Sequence, residues 1–170
     1  MFRRCALFWR WKPVKARAWM ICLLEFKGRK KVLYDVELEV NQNCPFCTVA
    51  RKPEYGSMPS NLLAHTRLDG FPVSKGHLLI VPNRHAADWF DLTTSEQQAI
   101  MELVEQGKQW LDEHYQPDGY NIGMNCGTAA GQTVPHMHCH LIPRYAGDQQ
   151  DPRGGVRWVI PEKADYWSGR

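Results

Sequence analysis

Five consecutive residues, His136-Met137-His138-Cys139-His140, place an imidazole at every second position. On a β-strand successive side chains leave opposite faces. A strand is expected from Thr133 to Ile142, closed by Pro143, which has no backbone N–H to donate. His136, His138 and His140 would then share one face, about 7 Å apart at next-nearest spacing. Met137, Cys139 and Leu141 would point the other way, into a core. A chance polar face or a metal-scavenging run would show the same alternation, but the flanking residues are equally specialised.

Upstream lies Asn125-Cys126-Gly127-Thr128-Ala129-Ala130-Gly131-Gln132-Thr133-Val134. A small-residue loop entering a strand can bring backbone N–H groups close to an anion. Asn125, Gln132 and Thr133 add neutral donors. Imidazoles with neutral donors suit a phosphate whose charge is redistributed in a reaction, more than one that is merely held.

The rest of the chain reads as a frame for this run. Residues 32–40 alternate apolar and polar from Tyr34 onward, predicting a half-exposed strand or an extended lead-in. Residues 48–52 predict a short helix stopped by Pro53, and Leu62–Leu68 a strand followed by the turn Asp69-Gly70-Phe71-Pro72. Gly76–Pro82 is an apolar run closed by proline, the pattern of a buried strand. Thr93-x-x-Glu96 is a capping box. Ile100, Leu103, Val104, Trp110 and Leu111 then follow on one helical face, with an end near Tyr115. Tyr120–Met124 predicts a further strand. Short strands in one block around one long helix indicate an α+β domain with antiparallel pairing.

Charge divides the chain unevenly. Residues 1–31 hold ten Lys/Arg against one acid, a charge of +9, so the net +3 leaves −6 for the remainder. The expected organisation is a basic N-terminal extension over 1–31 that can stay disordered, a catalytic domain over 32–150, and a C-terminal tail over 151–170 packed on it. A basic arm attracts polyanions without specificity, but charge runs are usually solvated. With an acidic body behind the arm, nucleic acid is not the expected partner. The longest apolar stretch, Ala18–Leu24, is far short of the roughly 20 residues of a membrane span. The six cysteines, at 5, 22, 44, 47, 126 and 139, are too scattered for a dense disulfide framework. Thiols in a reducing, cytoplasmic compartment are expected. Cys44-x-x-Cys47 taken alone reads as two half-buried thiols at a turn.

Gly131-Gln132-Thr133-Val134-Pro135-His136-Met137-His138-Cys139-His140-Leu141-Ile142-Pro143-Arg144 resembles the signature of the histidine triad (HIT) superfamily. Gly76-His77 through Pro82, with Arg84 and His85, resembles its second block. The resemblance spans roughly residues 41–146 and leaves out 1–31. Asp151-Pro152-Arg153-Gly154-Gly155-Val156-Arg157 resembles an extension of some bacterial members.

The resemblance implies a five-stranded antiparallel sheet with one long and one short helix, usually as a homodimer. It implies a nucleotide hydrolase or transferase. His138 would be the nucleophile, His140, His77 and Gln132 would line the α-phosphate, and Asn125 and Thr133 would lie close by. His136 would orient the nucleophile or ligate metal. Cys44, Cys47, His85 and His136 match positions that form a Cys₂His₂ zinc site in some members, a set that suits closed tetrahedral zinc. The uridylyltransferase branch has Gln where this chain has His140, so hydrolysis fits better. Dinucleoside polyphosphates and nucleoside phosphoramidates are the implied substrates, and a nucleotide-binding module with incidental turnover is the reading from another class.

Other residues carry plainer readings. His65 and His114 are expected at the surface or a strand edge, and the tryptophans at 89, 110, 158 and 167 in packing. Leu68, Phe71 and Leu78 would serve a nucleobase wall or a core equally. Arg153 and Arg157 are within the reach expected for a distal phosphate, with solvation the default.

Overall fold

The computed structural model describes residues 6–8, 17–26, 29–39, 41, 43–48 and 58–169. The chain divides into two units. The first comprises Met1–Ala50 with Asn83–His85, and the second Arg51–Pro82 with Ala86–Arg170.

In the first unit, β1 (Ala6–Phe8), β2 (Arg17–Phe26) and β3 (Arg29–Glu39) form an antiparallel sheet in the order β1-β2-β3. The pairing of β2 with β3 shifts register between Ile21 and Leu23. The apolar run Ala18–Leu24 thus lies in a central strand, and β3 passes straight through the charge boundary at residue 31. β1, β2 and the start of β3 fall within the basic segment 1–31. A short helix, α1 (Pro45–Thr48), follows.

The second unit holds a four-stranded antiparallel sheet in the order β4-β5-β7-β6. Its strands are β4 (Ala64–Leu68), β5 (Leu78–Pro82), β6 (Gly119–Met124) and β7 (Cys139–Arg144). The expected five-stranded sheet is therefore corrected to four strands among the described residues. Residues 32–39 of the alternating segment belong to the other sheet, where β3 pairs with β2. The one short helix expected beside the long one is likewise joined by a second, α3 (Pro161–Ala164).

The long helix α2 (Thr94–Tyr115) starts at Thr93 with both halves of the capping box: Thr93 Oγ1 accepts from Glu96 N–H, and Glu96 Oε2 accepts from Thr93 N–H at 2.8 Å. It ends at Gln116 in the left-handed region. Ile100, Leu103, Val104 and Leu111 are buried against Leu78, Ile80 and Leu141 of the sheet. Gly107 makes this approach close, since a methyl there would lie 3.2 Å from Leu141 and 3.5 Å from Leu78.

Register then sorts the sheet. Buried Cys139, Leu141 and Pro143 alternate with half-exposed His140, Ile142 and Arg144 along β7. Leu141 faces α2, so His140 stands on the other face. His140 pairs with Leu79 of β5, and His77 lies two residues before Leu79, on that same face. One face makes the core; the other makes the site.

Gly76 enters β5 with φ +85°, and a Cβ there would lie 3.0 Å from Leu111 and 3.1 Å from Tyr115. Gly76→Ala is expected to lower stability by roughly 2–3 kcal/mol, from left-handed strain plus displaced side chains. Denaturant unfolding checks this. A midpoint equal to the parent's would show that the turn relaxes at no cost.

Candidate active site

The strand carrying the histidines starts later than expected. β7 begins at Cys139, and residues 134–136 form a bend in which His136 N–H donates to Val134 C=O at 2.8 Å. The expectation of three imidazoles on one strand face is therefore corrected: Pro135 lies in that bend, and proline suits turns and strand ends more than a central strand. His136 turns inward, 1% exposed, with Nε2 at 3.2 Å from the Pro82 carbonyl. His138 and His140 stay together, their ring centroids 5.0 Å apart and nearly edge to face.

Buried His138 approaches its own segment's backbone, with Nδ1 2.8 Å from His136 C=O. A carbonyl only accepts, so Nδ1 carries the hydrogen and the neutral ring keeps its lone pair on Nε2. His140 Nδ1 lies 3.0 Å from His77 Nε2. Burial first, then the neighbouring His138 and His77, hold the His140 pKa down at about 4. Burial also lowers that of His77, opposed by Asp69.

In the sequence Asp69 stands only as a turn residue. The β4–β5 hairpin closes at Leu68↔Leu78, and Asp69 N–H then donates to His77 C=O at 2.9 Å. This brings the Asp69 carboxylate to 3.4 Å from His77 Nδ1. No local pattern announces the pairing; only the hairpin register makes it. Asp69, His77 and His140 could also offer ligand atoms to a cation. The 3.0 Å between the two rings is a hydrogen-bond length, and zinc at about 2.0–2.1 Å from each nitrogen would spread them further apart.

The small-residue loop is braced from within. Gly127 N–H donates to Gln132 Oε1 (2.8 Å), and the N–H groups of Ala130, Gly131 and Gln132 donate to carbonyls of the same loop. Gln132 Nε2 donates to Ala87 C=O (2.6 Å) and Val134 C=O (3.1 Å). The carboxamide expected to line a phosphate thus ties the loop to the segment after β5. Asn125, half-buried, stands one residue beyond β6, and Thr133 is exposed. Gly123 pairs with His140 across the sheet, and a methyl there would touch nothing within 4 Å, which leaves room beside the imidazole.

In the first unit Cys44, Cys47 and His85 hold ligand atoms within 4.8 Å of one another, with Cys47 Sγ 3.3 Å from His85 Nδ1. The Cys47 thiol is pushed up to about 11, by burial first and with Cys44 beside it adding to the rise. A divalent cation would reverse that preference, since coordination deprotonates thiols. Two sulfurs and an imidazole at this spacing fit zinc.

The remaining candidates settle simply. Leu78 is fully buried under α2 and Phe71 is 93% exposed, so the two do not form one wall. Arg153 pairs with Asp151 at 2.6 Å and lies over Trp167; Arg157 donates to the carbonyls of Lys163 and Ala164. Both arginines brace the tail. His114 is exposed and stacked on Trp110, and His65 lies half-buried on the edge strand β4. No helix among the described residues is long and apolar enough to cross a membrane.

A family model described as HIT domain matches residues 60–147. An uncharacterised HIT-like protein of Mycoplasma genitalium is 34% identical over 115 residues, 65% of this chain and 79% of that protein. An AP-4-A phosphorylase of Mycobacterium tuberculosis is 34% identical, over 51% of this chain and 45% of its own length. A bis(5'-adenosyl)-triphosphatase of Saccharomyces cerevisiae is 35% identical, over 58% and 45%. This chain thus spans under half of those two enzymes. Among solved structures, a HIT family protein of Bacillus anthracis has a TM-score of 0.55 at 33% identity, covering 63% of this chain and 77% of that one. A zinc-bound histidine triad family protein of Mycobacterium smegmatis has a TM-score of 0.53 at 28% identity, covering 72% and 94%.

Proposed function

The chain belongs to the HIT domain family, and on that premise we propose that it hydrolyses nucleotides at the α-phosphate through a nucleotidyl-His138 intermediate. It is an enzyme acting on phosphorus-containing anhydrides. The observation that carries the mechanism is the 2.8 Å contact of His138 Nδ1 with the His136 carbonyl, which sets the lone pair on Nε2. Nε2 attacks phosphorus, a P–N bond forms and the bond to the departing group breaks. His140 donates a proton to the departing atom. Water then attacks phosphorus and gives up a proton to His140, the P–N bond breaks, and both His138 and His140 are restored. Asn125 and Thr133 serve the non-bridging oxygens, His77 supports His140, and Gln132 holds the loop in place.

Dinucleoside polyphosphates are the favoured substrates, with nucleoside phosphoramidates as competitors. The relatives named for AP-4-A and bis(5'-adenosyl) triphosphate support this order. Zinc held by Cys44, Cys47, His85 and His136 is part of the reading. It would be structural, stiffening the segment that carries His138. So is a homodimer in a cytoplasmic setting.

One relative is named a phosphorylase, and that observation favours a second reading in which phosphate replaces water as acceptor. Product analysis separates them: hydrolysis releases a nucleoside monophosphate, whereas phosphorolysis with added phosphate yields the diphosphate. Rapid quenching with α-labelled dinucleoside polyphosphate is expected to trap an acid-labile, base-stable protein adduct. Active protein that never carries label under these conditions would exclude the covalent route.

A further inference from the structure

We propose that the tail segment Gly155–Val159 is the subsite for the departing nucleoside, whose base stacks on an apolar patch centred on Trp158. The proposal rests on the hydrolase reading above and adds to it the residues that select a second base.

The direction of the reaction leads to this segment. His138 Nδ1 faces back to the His136 carbonyl, so Nε2 faces away from residue 136. His140, the next imidazole along the chain, stands 5.0 Å away, ring to ring. In displacement at phosphorus the attacking and departing atoms lie roughly in line, so the departing group continues past His140. His140 pairs with Gly123, where a methyl would touch nothing within 4 Å, and the way is open. The next pair on the same face of the sheet is Ile142 with Asn121, about 7 Å further along. There the tail lies against the sheet: a Cβ on Gly155 would sit 3.5 Å from the Asn121 amide nitrogen.

The charges near this place are already engaged. The Arg144 guanidinium meets both oxygens of Asp148, at 2.6 and 2.8 Å, and Asn121 at 2.6 Å. Arg153 pairs with Asp151 and lies 4.7 Å over the Trp167 ring, and Arg157 donates to the carbonyls of Ala164 and Lys163. What the tail turns outward is apolar. Val156 is 60% exposed, Trp158 48%, Val159 79% and Ile160 54%. Such a patch on a small protein marks a surface that something covers.

The patch is also held in place. Trp158 Nε1 donates to the Arg153 carbonyl at 2.8 Å. Gly154, with φ +86°, makes this fit, since a Cβ there would lie 3.3 Å from both Trp158 Nε1 and Trp167. An indole fixed at its polar edge and half-exposed suits a flat partner with an apolar face. Of the parts of a departing nucleotide only the base is that. The position of the patch, one strand pair beyond His140, favours a base over a second copy of the chain.

The test compares diadenosine tetraphosphate with adenosine 5′-tetraphosphate, which has the same reacting phosphate and no second base. The parent is expected to favour the dinucleoside in kcat/KM. Trp158→Ala should raise KM for the dinucleoside roughly 10–100-fold, the range of one lost base stack. Its kcat should be nearly unchanged, because the stack is present in ground and transition states alike. On adenosine 5′-tetraphosphate both constants should stay within about threefold of the parent's. Trp158→Phe, which retains a ring, should keep most of the preference. Equal losses on both substrates, a loss in kcat alone, or no loss on the dinucleoside would each overturn the subsite. So would light scattering in which Trp158→Ala halves the mass while substrate preference stands, which gives the patch to a second copy. If Trp158→Ala does not fold, Val159→Ser, at an exposed side chain, decides by the same difference with a smaller rise in KM. A parent chain inactive on both substrates overturns the hydrolase reading together with the subsite. An active parent with no preference for the dinucleoside overturns the subsite alone.

Discussion

His138→Ala is expected to lower kcat by about 10⁴–10⁶-fold while nucleotide affinity changes little. The size follows from the role: the variant lacks the atom that forms the covalent bond, whereas neighbouring residues bind phosphate in ground and transition states alike. Substitution by one of the flanking histidines is excluded by position. His136 turns inward to the Pro82 carbonyl, and His140 is engaged with His77. His138 is 8% exposed, so the small cavity left by alanine should not unfold the sheet. Steady-state turnover with a dinucleoside polyphosphate, together with nucleotide binding by calorimetry, makes the measurement. Turnover within tenfold of the parent in a folded variant would end the covalent mechanism.

The second large effect concerns zinc. Protein purified without chelator is expected to carry one zinc per chain, and Cys44→Ser or His85→Ala should reduce it well below one. Structural zinc contributes about 10–16 kcal/mol of apparent binding free energy in small isolated domains. Its loss here should therefore cost several kcal/mol and lower the melting temperature by well over ten degrees. The Cys47 thiol, pushed up to about 11, holds its proton in the absence of a cation. Metal binding should accordingly release protons and weaken on acidification. Because His136 lies two residues before His138, metal-free protein should also lose turnover. Metal content far below one equivalent, unchanged by Cys44→Ser, would refute the site.

What a residue does within one turn or one strand could be read along the chain. Thr93 and Glu96 lie three apart, so the helix start follows from backbone geometry alone, and its apolar face follows from the 3.6 period. The buried strand Leu78–Pro82 and the turn at Asp69-Gly70 are equally local. The pairing of His138 with His140, their ring centroids 5.0 Å apart, is likewise local. The first unit was harder. Residues 1–31 are conspicuous for charge, and charge gives no sign that Arg17–Phe26 pairs with Arg29–Glu39.

By itself, then, the sequence determined the residue types available for reaction, the long helix, and which strands alternate between core and site. Tertiary structure decided which of those residues meet. Asp69 reaches His77 through hairpin register, His77 reaches His140 across 63 positions, and Gln132 reaches the Ala87 carbonyl across 45. Pairings of that kind depend on strand register and on which face α2 covers. A one-residue slip would send every one of those side chains to the opposite face, and no local preference distinguishes the two registers until the core is packed.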